Sequence, residues 1–158
     1  MGISKRLKKI AELVTPGLSV ADIGTDHGYV PVYLLKSGLI PKALAADISP
    51  GSLAKAEQNR LRYGLSECME CRISDGFSNI APYEAECAVI AGMGGILMSR
   101  ILTDGEETVK SLKELVLSPH RDADLVRRCV SDLGFEIVSD EIFADKKKSY
   151  VIIKALKK

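Results

Sequence analysis

The sequence predicts an α/β protein, a doubly wound and mostly parallel sheet that ends in an antiparallel hairpin. Three observations carry this. Helical and strand-like patterns alternate five times along the chain. The strand-like runs are short and apolar, and most end in Asp or Gly. The last two runs are joined only by Ala144-Asp145-Lys146-Lys147-Lys148, too short for a parallel crossover but long enough for a hairpin.

The elements follow in order. Residues 4–14 form the first helix, with Ser4 as N-cap and Leu7, Ile10, Leu13 and Val14 on one face; Pro16 and Gly17 end it. Residues 20–23 are a short buried strand that runs into the turn Gly24-Thr25-Asp26-His27-Gly28. Pro31 suits the first turn of the next helix and Gly38 its C-terminal end. Residues 43–46 form the second strand, ending at Asp47. Ser49 caps the helix after it, with Pro50 in first position, Leu53, Ala56 and Leu61 facing inward, and Gly64 closing it. The third strand, 70–74, ends at Asp75-Gly76, and the fourth, 87–91, at Gly92-Met93-Gly94-Gly95. A helix over 96–102 follows, then a fifth strand over 115–117 ending in Ser118-Pro119. Leu125, Val126, Cys129, Val130 and Leu133 recur at helical spacing before Gly134. Residues 135–143 and 150–156 make the closing hairpin.

A chain of 158 residues that is 46% hydrophobic and 27% charged suits a single globular domain over 1–158, with no repeat, linker or low-complexity tract. No run approaches the roughly 20 apolar residues that span a bilayer, and the charged opening MGISKRLKKIAEL lacks the apolar centre of a signal peptide. No membrane association and a cytoplasmic location are therefore expected. Cys68 and Cys71 form a lone C-x-x-C without a second pair, and they precede strand rather than helix, so neither a metal site nor a redox motif is expected. The net charge of +1 announces no polyanion partner, but basic residues cluster at the start (Lys5, Arg6, Lys8, Lys9) and in the last thirteen positions. Either cluster could meet phosphate or simply be solvated. Oligomeric state is left open, with a monomer as the default.

In a doubly wound sheet, ligands bind beyond the carboxyl ends of the strands. Those ends carry Asp22 and Gly24, Asp47 with Ile48 beside it, Asp75-Gly76, and Gly92-Met93. Singly, each reads as an ordinary turn residue; four in register mark a cofactor seat. A dinucleotide needs glycine two places after Gly24, where its pyrophosphate approaches the backbone. Asp26 stands there and would repel it. S-adenosylmethionine carries no phosphate but has an ammonium and a sulfonium, for which Asp22 and Asp26 are assets. Asp47 is placed for the ribose hydroxyls, and Asp75 for the adenine amino group, with Gly76 leaving room for the ring.

The succession D-x-G-x-D-H-G-Y (22–29), A-D (46–47), S-D-G (74–76), A-G-M-G-G (91–95) and S-P-H (118–120) resembles the class I methyltransferases. More narrowly it resembles the bacterial tRNA (adenine-N1)-methyltransferases that modify adenine 22 of tRNA, whose opening helix carries a run like Ile3-Ser4-Lys5-Arg6-Leu7. The resemblance spans nearly the whole chain. It implies a Rossmann-like fold, S-adenosyl-L-methionine as cofactor, tRNA as partner, and a cofactor site of Asp22, Gly24, Gly28, Asp47, Ile48, Asp75, Gly76, Gly92 and Met93. Members of that family usually continue into a helical C-terminal extension that holds tRNA, whereas this sequence ends at Lys158, so the catalytic domain alone is expected.

The turn after the fourth strand offers no side-chain clamp for an exocyclic amine, which suits attack by a ring nitrogen. Asp26, His27 and Tyr29 are the candidate catalytic residues: Asp26 to offset charge on the methylated base, His27 and Tyr29 to orient or stack it. His27 and Tyr29 read equally well as packed turn and helix-start residues, and His120 is a weaker candidate for the same cleft. Lys5, Arg6, Lys8 and Lys9 are the expected phosphate contacts. Three rival readings stay open: a methyltransferase of small molecules or proteins, a donor-binding module without catalysis of its own, and a dinucleotide oxidoreductase.

Overall fold

A computed structural model describes residues 2–158. The elements are α1 (Lys5–Leu13), β1 (Val20–Ile23), α2 (Tyr29–Lys36), β2 (Ala43–Asp47), α3 (Pro50–Arg62), β3 (Met69–Ile73), β4 (Cys87–Met93), α4 (Gly95–Asp104), α5 (Glu106–Val109), β5 (Glu114–Pro119), α6 (Ala123–Asp132), β6 (Phe135–Asp145) and β7 (Lys148–Lys157). The strands form one seven-stranded sheet in the order β3-β2-β1-β4-β5-β7-β6. β1 pairs in parallel with both β2 and β4, so the strand order reverses there. β7 runs antiparallel to both β5 and β6. This is the expected fold class.

Local chemistry explains the helix starts. Ser4 Oγ accepts from Leu7 N at 3.2 Å and Ser49 Oγ from Ser52 N at 3.3 Å, so both predicted N-caps close their helices. Pro50 occupies the first helical position of α3, where a missing N–H costs nothing. Leu53 and Ala56 face the core, but Leu61, expected beside them, is 60% exposed. At 100° per residue it lies about 140° around the helix from Ala56, off the buried stripe.

The alternation breaks between β3 and β4. Residues 74–86 form turns rather than a helix because short side chains take up the backbone groups. Ser74 Oγ donates to Gly76 O and accepts from Asn79 N, Asp75 N donates to Ser78 Oγ, and Ala81 N donates to Glu84. The four-residue α5 was not anticipated either. β4 runs two residues past the expected strand, and its register with β5 shifts between Ala91 and Met93, a bulge at Gly92 (φ +83°).

The two faces of the sheet bury separate cores. α4 and α6 cover Ala21, Ile23, Ile90, Leu115 and Leu117, while α1 and α2 cover Val20, Val89, Val116 and Ile152. β1 is buried at all four positions, as a central parallel strand requires. Glu114, buried in β5, accepts from Thr15 N at 2.9 Å and pairs with Lys154 at 3.5 Å, and Lys9 pairs with Glu141 of β6 at 3.1 Å. These contacts pin α1 across the sheet, so the side chains on its first turn have a fixed place at the strand ends. Among the described residues no helix is long and apolar enough to cross a membrane. Cys68 precedes β3 and Cys71 lies inside it. Burial and the neighbouring Glu57 push the Cys71 thiol up to about 11, the opposite of a redox-active pair.

Candidate active site

Two adjoining cavities open beyond the carboxyl ends of β1, β2, β3 and β4. One, of about 420 Å³, is lined by Gly24, Asp47, Ile48, Asp75, Gly76, Gly92, Met93 and Ile101, among others. The other, of about 340 Å³, is lined by Arg6, Asp22, Gly24, Thr25, Asp26, Gly92 and His120, among others. They share Gly24, Ala91 and Gly92, so together they make one trough across the point where the strand order reverses.

In the larger cavity, Asp47 Oδ1 accepts from Ser49 N at 2.8 Å, which fixes the carboxylate at the mouth of β2. Ile48, 64% exposed beside it, offers an apolar wall. The Asp75 side chain is exposed, while its backbone is held through Ser78. Gly76 (φ +60°) would bring a Cβ to 3.0 Å from Ile101 Cγ2, so its lack of a side chain preserves the pocket's shape. A slot with one half-buried and one exposed carboxylate, an isoleucine wall and close-packed glycine suits a purine nucleoside without phosphates.

In the smaller cavity, Asp22 is 4% exposed and its Oδ2 accepts from Thr25 Oγ1 at 2.9 Å. Burial raises its pKa from 3.8 to about 7; the Thr25 hydrogen bond opposes this, and the carboxylates of Asp26 and Asp47 add to it. A carboxyl so poised at a strand end gains most from a cationic ligand, which would restore its charge. Asp26 is exposed, with Oδ1 at 2.7 Å from His27 Nδ1. The His27 and Tyr29 rings stack, centroids 5.0 Å apart and planes 5° apart, outside the lining of both cavities. His27 takes a left-handed backbone conformation (φ +55°), with its carbonyl held by Asn59 Nδ2 at 2.8 Å.

Several sequence expectations change in detail. Gly28 lines neither cavity: it starts α2 at φ +69°, and a Cβ there would come within 2.9 Å of Met69 and 3.2 Å of Ala56. Its placement is therefore one of packing beneath the turn. The glycines at the end of β4 and after it have three different roles. Gly92 is open to the trough, Gly94 caps α4, and Gly95 is buried where a Cβ would collide with the carbonyls of Arg121 and Asp122. Gly95 N donates to Arg121 O at 2.8 Å, tying the start of α4 to the β5–α6 loop.

The four basic residues of α1 do not form one patch. Lys5 and Lys8 are exposed, Lys9 is paired with Glu141, and Arg6 turns into the smaller cavity with its guanidinium 4.9 Å from the Tyr150 ring. His120 lines that same cavity, its N–H donating to Met93 O at 2.9 Å. Sequence reasoning missed Thr25 and Arg100 as lining residues. Thr25 could have been read from its spacing to Asp22, but nothing local marks Arg100.

A sheet of this order with an acid-lined trough at the strand switch defines a methyltransferase domain, and the comparisons agree. Residues 3–153 match the family described as Methyltransferase domain, and the chain belongs to that family. More particularly, the chain is 31% identical over 153 residues to the tRNA (adenine(22)-N(1))-methyltransferase of Bacillus subtilis (strain 168), covering 97% of this chain and 64% of that protein. It thus spans less than two thirds of that relative. The crystal structure of the B. subtilis m1A22 tRNA methyltransferase TrmK superposes with a TM-score of 0.94 at 31% identity, covering 99% of this chain and 67% of that one. Streptococcus pneumoniae Sp1610 in complex with S-adenosyl-L-methionine gives a TM-score of 0.94 at 33% identity, covering 99% and 73%.

Proposed function

We propose that this chain is the catalytic domain of an S-adenosyl-L-methionine-dependent methyltransferase acting on N1 of adenine 22 in tRNA. One observation carries the cofactor reading: the trough is lined by acids from successive strand ends, one of them the buried Asp22, which favours a cationic ligand without phosphates. The likeness to the B. subtilis enzyme supports the substrate reading.

When bound, the donor supplies an electrophilic methyl group on a sulfonium. Asp47 accepts from the ribose hydroxyls, Asp75 from the adenine amino group, and Ile48 covers the ring. Asp22 and Asp26 take the ammonium. The bulge at Gly92 opens the shared wall of the two cavities, giving a flat base access to the reacting carbon. Transfer to the adenine N1 lone pair would leave the base with the positive charge that the donor's sulfonium carried. Asp26, exposed at the trough's edge, offsets that charge. The stacked His27 and Tyr29 rings form a platform beside it that orients the base. Lys5 and Lys8, exposed on the same end of α1, meet backbone phosphate.

Mass spectrometry of nucleosides from adenine-22-containing tRNA incubated with protein and donor tests the reading. N1-methyladenosine at that position is expected, and none forming in the presence of bound donor would refute it. Asp26→Ala should weaken donor binding only modestly by calorimetry, because Asp22 still takes the ammonium, yet lose at least about tenfold in transfer at saturating donor. Unchanged turnover would remove Asp26 from the mechanism.

A further inference from the structure

The basic run Lys146-Lys147-Lys148 has no part in the trough, and the register of the closing hairpin shows where it stands. β5 and β7 pair from Glu114–Leu156 to Leu117–Ile153. Beyond that last pair β7 holds residues 148–152, which pair with β6 alone. At about 3.3 Å per residue they carry the tip roughly 16 Å past the end of the β5 pairing. β5 runs parallel to β4, so this arm projects from the carboxyl ends of the strands, the side on which the trough opens. α1 braces its base: Lys9 pairs with Glu141 at 3.1 Å, the Arg6 guanidinium lies 4.9 Å from the Tyr150 ring, and Phe143 packs on the core beneath α1 and α2. The three lysines are exposed, and none forms an ion pair among the described residues. Lys146 holds φ +58°, a conformation that so tight a turn usually gives to Gly, Asn or Asp. Neither that strain nor the run of like charge helps the hairpin form. Lysines that guard a sheet against pairing stand along its edge strand. Here the edge is β6, whereas these three occupy the loop and the start of β7.

A polyanion that approaches the trough meets Asp22, Asp26, Asp47 and Asp75, with only Arg6 and Arg100 in the lining to offset them. Its backbone must be held by cations set apart from those acids. Screening confines a charge to about 8 Å at physiological salt, so an arm reaching about twice that far acts independently of the trough. Resting on the tRNA reading above, we infer that the β6–β7 hairpin is an RNA-binding arm. Lys146, Lys147 and Lys148 grip backbone phosphates at a distance from the nucleotide whose base enters the trough, while Lys5 and Lys8 serve those near it. A nucleotide or short oligonucleotide seated at the trough does not reach the tip. The arm therefore favours a large folded RNA over a fragment that carries the same base.

Fluorescence-anisotropy titrations with tRNA at several salt concentrations test this on three proteins. One is unaltered. The arm variant combines Lys146→Gly, Lys147→Gln and Lys148→Gln, and glycine at the first position suits the positive φ and keeps the turn. The control variant combines Lys42→Gln, Lys110→Gln and Lys113→Gln, an equal loss of charge just before β2 and β5, at the opposite end of the sheet. The arm variant should bind tRNA at least about tenfold more weakly near 0.1 M salt, and its log–log salt slope should fall by about 2 to 3, close to one per phosphate contact. Its affinity for S-adenosylhomocysteine should stay unchanged, as should that of the control for tRNA. An unaltered slope in the arm variant would overturn the inference. Equal losses in the arm and control variants would overturn it too, since they would report net charge alone. If the unaltered protein binds S-adenosylhomocysteine but no tRNA, the tRNA reading itself fails and the inference falls with it.

Discussion

Replacing Asp22 by Asn should make the protein more stable and less able to bind its donor, and both effects should depend on pH. Asp22 sits at the end of β1, 4% exposed, with one hydrogen bond from Thr25 and with Asp26 and Asp47 close enough to repel its charge. Its pKa rises from 3.8 in the unfolded chain to about 7 in the fold. A carboxyl whose pKa is raised by folding opposes folding once the unfolded chain can ionise it. The penalty is absent below 3.8, grows between 3.8 and 7, and is complete above 7. At about 1.36 kcal/mol per pH unit the full penalty is about 4 kcal/mol, a large part of the roughly 5–15 kcal/mol that holds a domain together. Asn removes the charge and can still accept from Thr25 through its amide oxygen. Urea denaturation of both proteins at pH 5 and pH 8 is the assay. Asp22→Asn should be more stable at pH 8 by about 4 kcal/mol and by less than half of that at pH 5. Donor affinity of the unaltered protein should rise as pH passes 7, because the ionised carboxylate meets the ammonium, and the variant should lose much of that rise. The other charged groups facing this cavity are Asp26, Arg6 and His120. Stability differences that stay constant between pH 5 and pH 8 would refute the assignment of the shift to Asp22.

Two further outcomes are expected. Gly95→Ala should destabilise the protein by about 3 kcal/mol, read as a fall in thermal midpoint, because the new Cβ meets the carbonyls of Arg121 and Asp122. Gly92→Ala meets no atom within 4 Å and should show only the cost of its positive φ, about 1 kcal/mol; equal losses at the two positions would contradict their separate roles. Lys5→Glu with Lys8→Glu should weaken tRNA binding and reduce its dependence on salt by about two released counterions, while an unaltered slope would show that α1 does not reach the RNA.

The parts of the fold legible in the sequence are those fixed by short-range chemistry. Ser4 and Ser49 cap their helices through bonds three residues away. The turn 146–147 can only join antiparallel neighbours, and Lys146 takes the positive φ (58°) that so tight a turn requires. The sequence assigns no helix to 74–86, and the structure gives the reason: Ser78 and Glu84 accept from backbone N–H groups and Ser74 donates to Gly76 O, which competes with helix. Leu61 follows Leu53 and Ala56 at near-helical spacing, but its angle of about 140° from Ala56 carries it off the buried face.

The site divides in the same way. Asp22, Gly24, Asp47, Asp75 and Gly92 come together because parallel strands in register carry their carboxyl ends to one edge, so each strand ending in Asp or Gly contributes to the same trough. That rule needs no knowledge of tertiary packing. Arg6 and His120 obey no such rule. Arg6 reaches the trough because Glu114 and Glu141 hold α1 across the sheet. His120 reaches it because β5 lies beside β4 and Met93 O accepts from its backbone. In the sequence Arg6 is one of four bases in five residues, and the natural reading gives all four the same partner. Helical geometry separates them: Lys9 turns to β6, Lys5 and Lys8 to solvent, and Arg6 to the cavity beyond the end of β1. A basic cluster on a helix is thus a set of directions, and at most part of it can face a single polyanion.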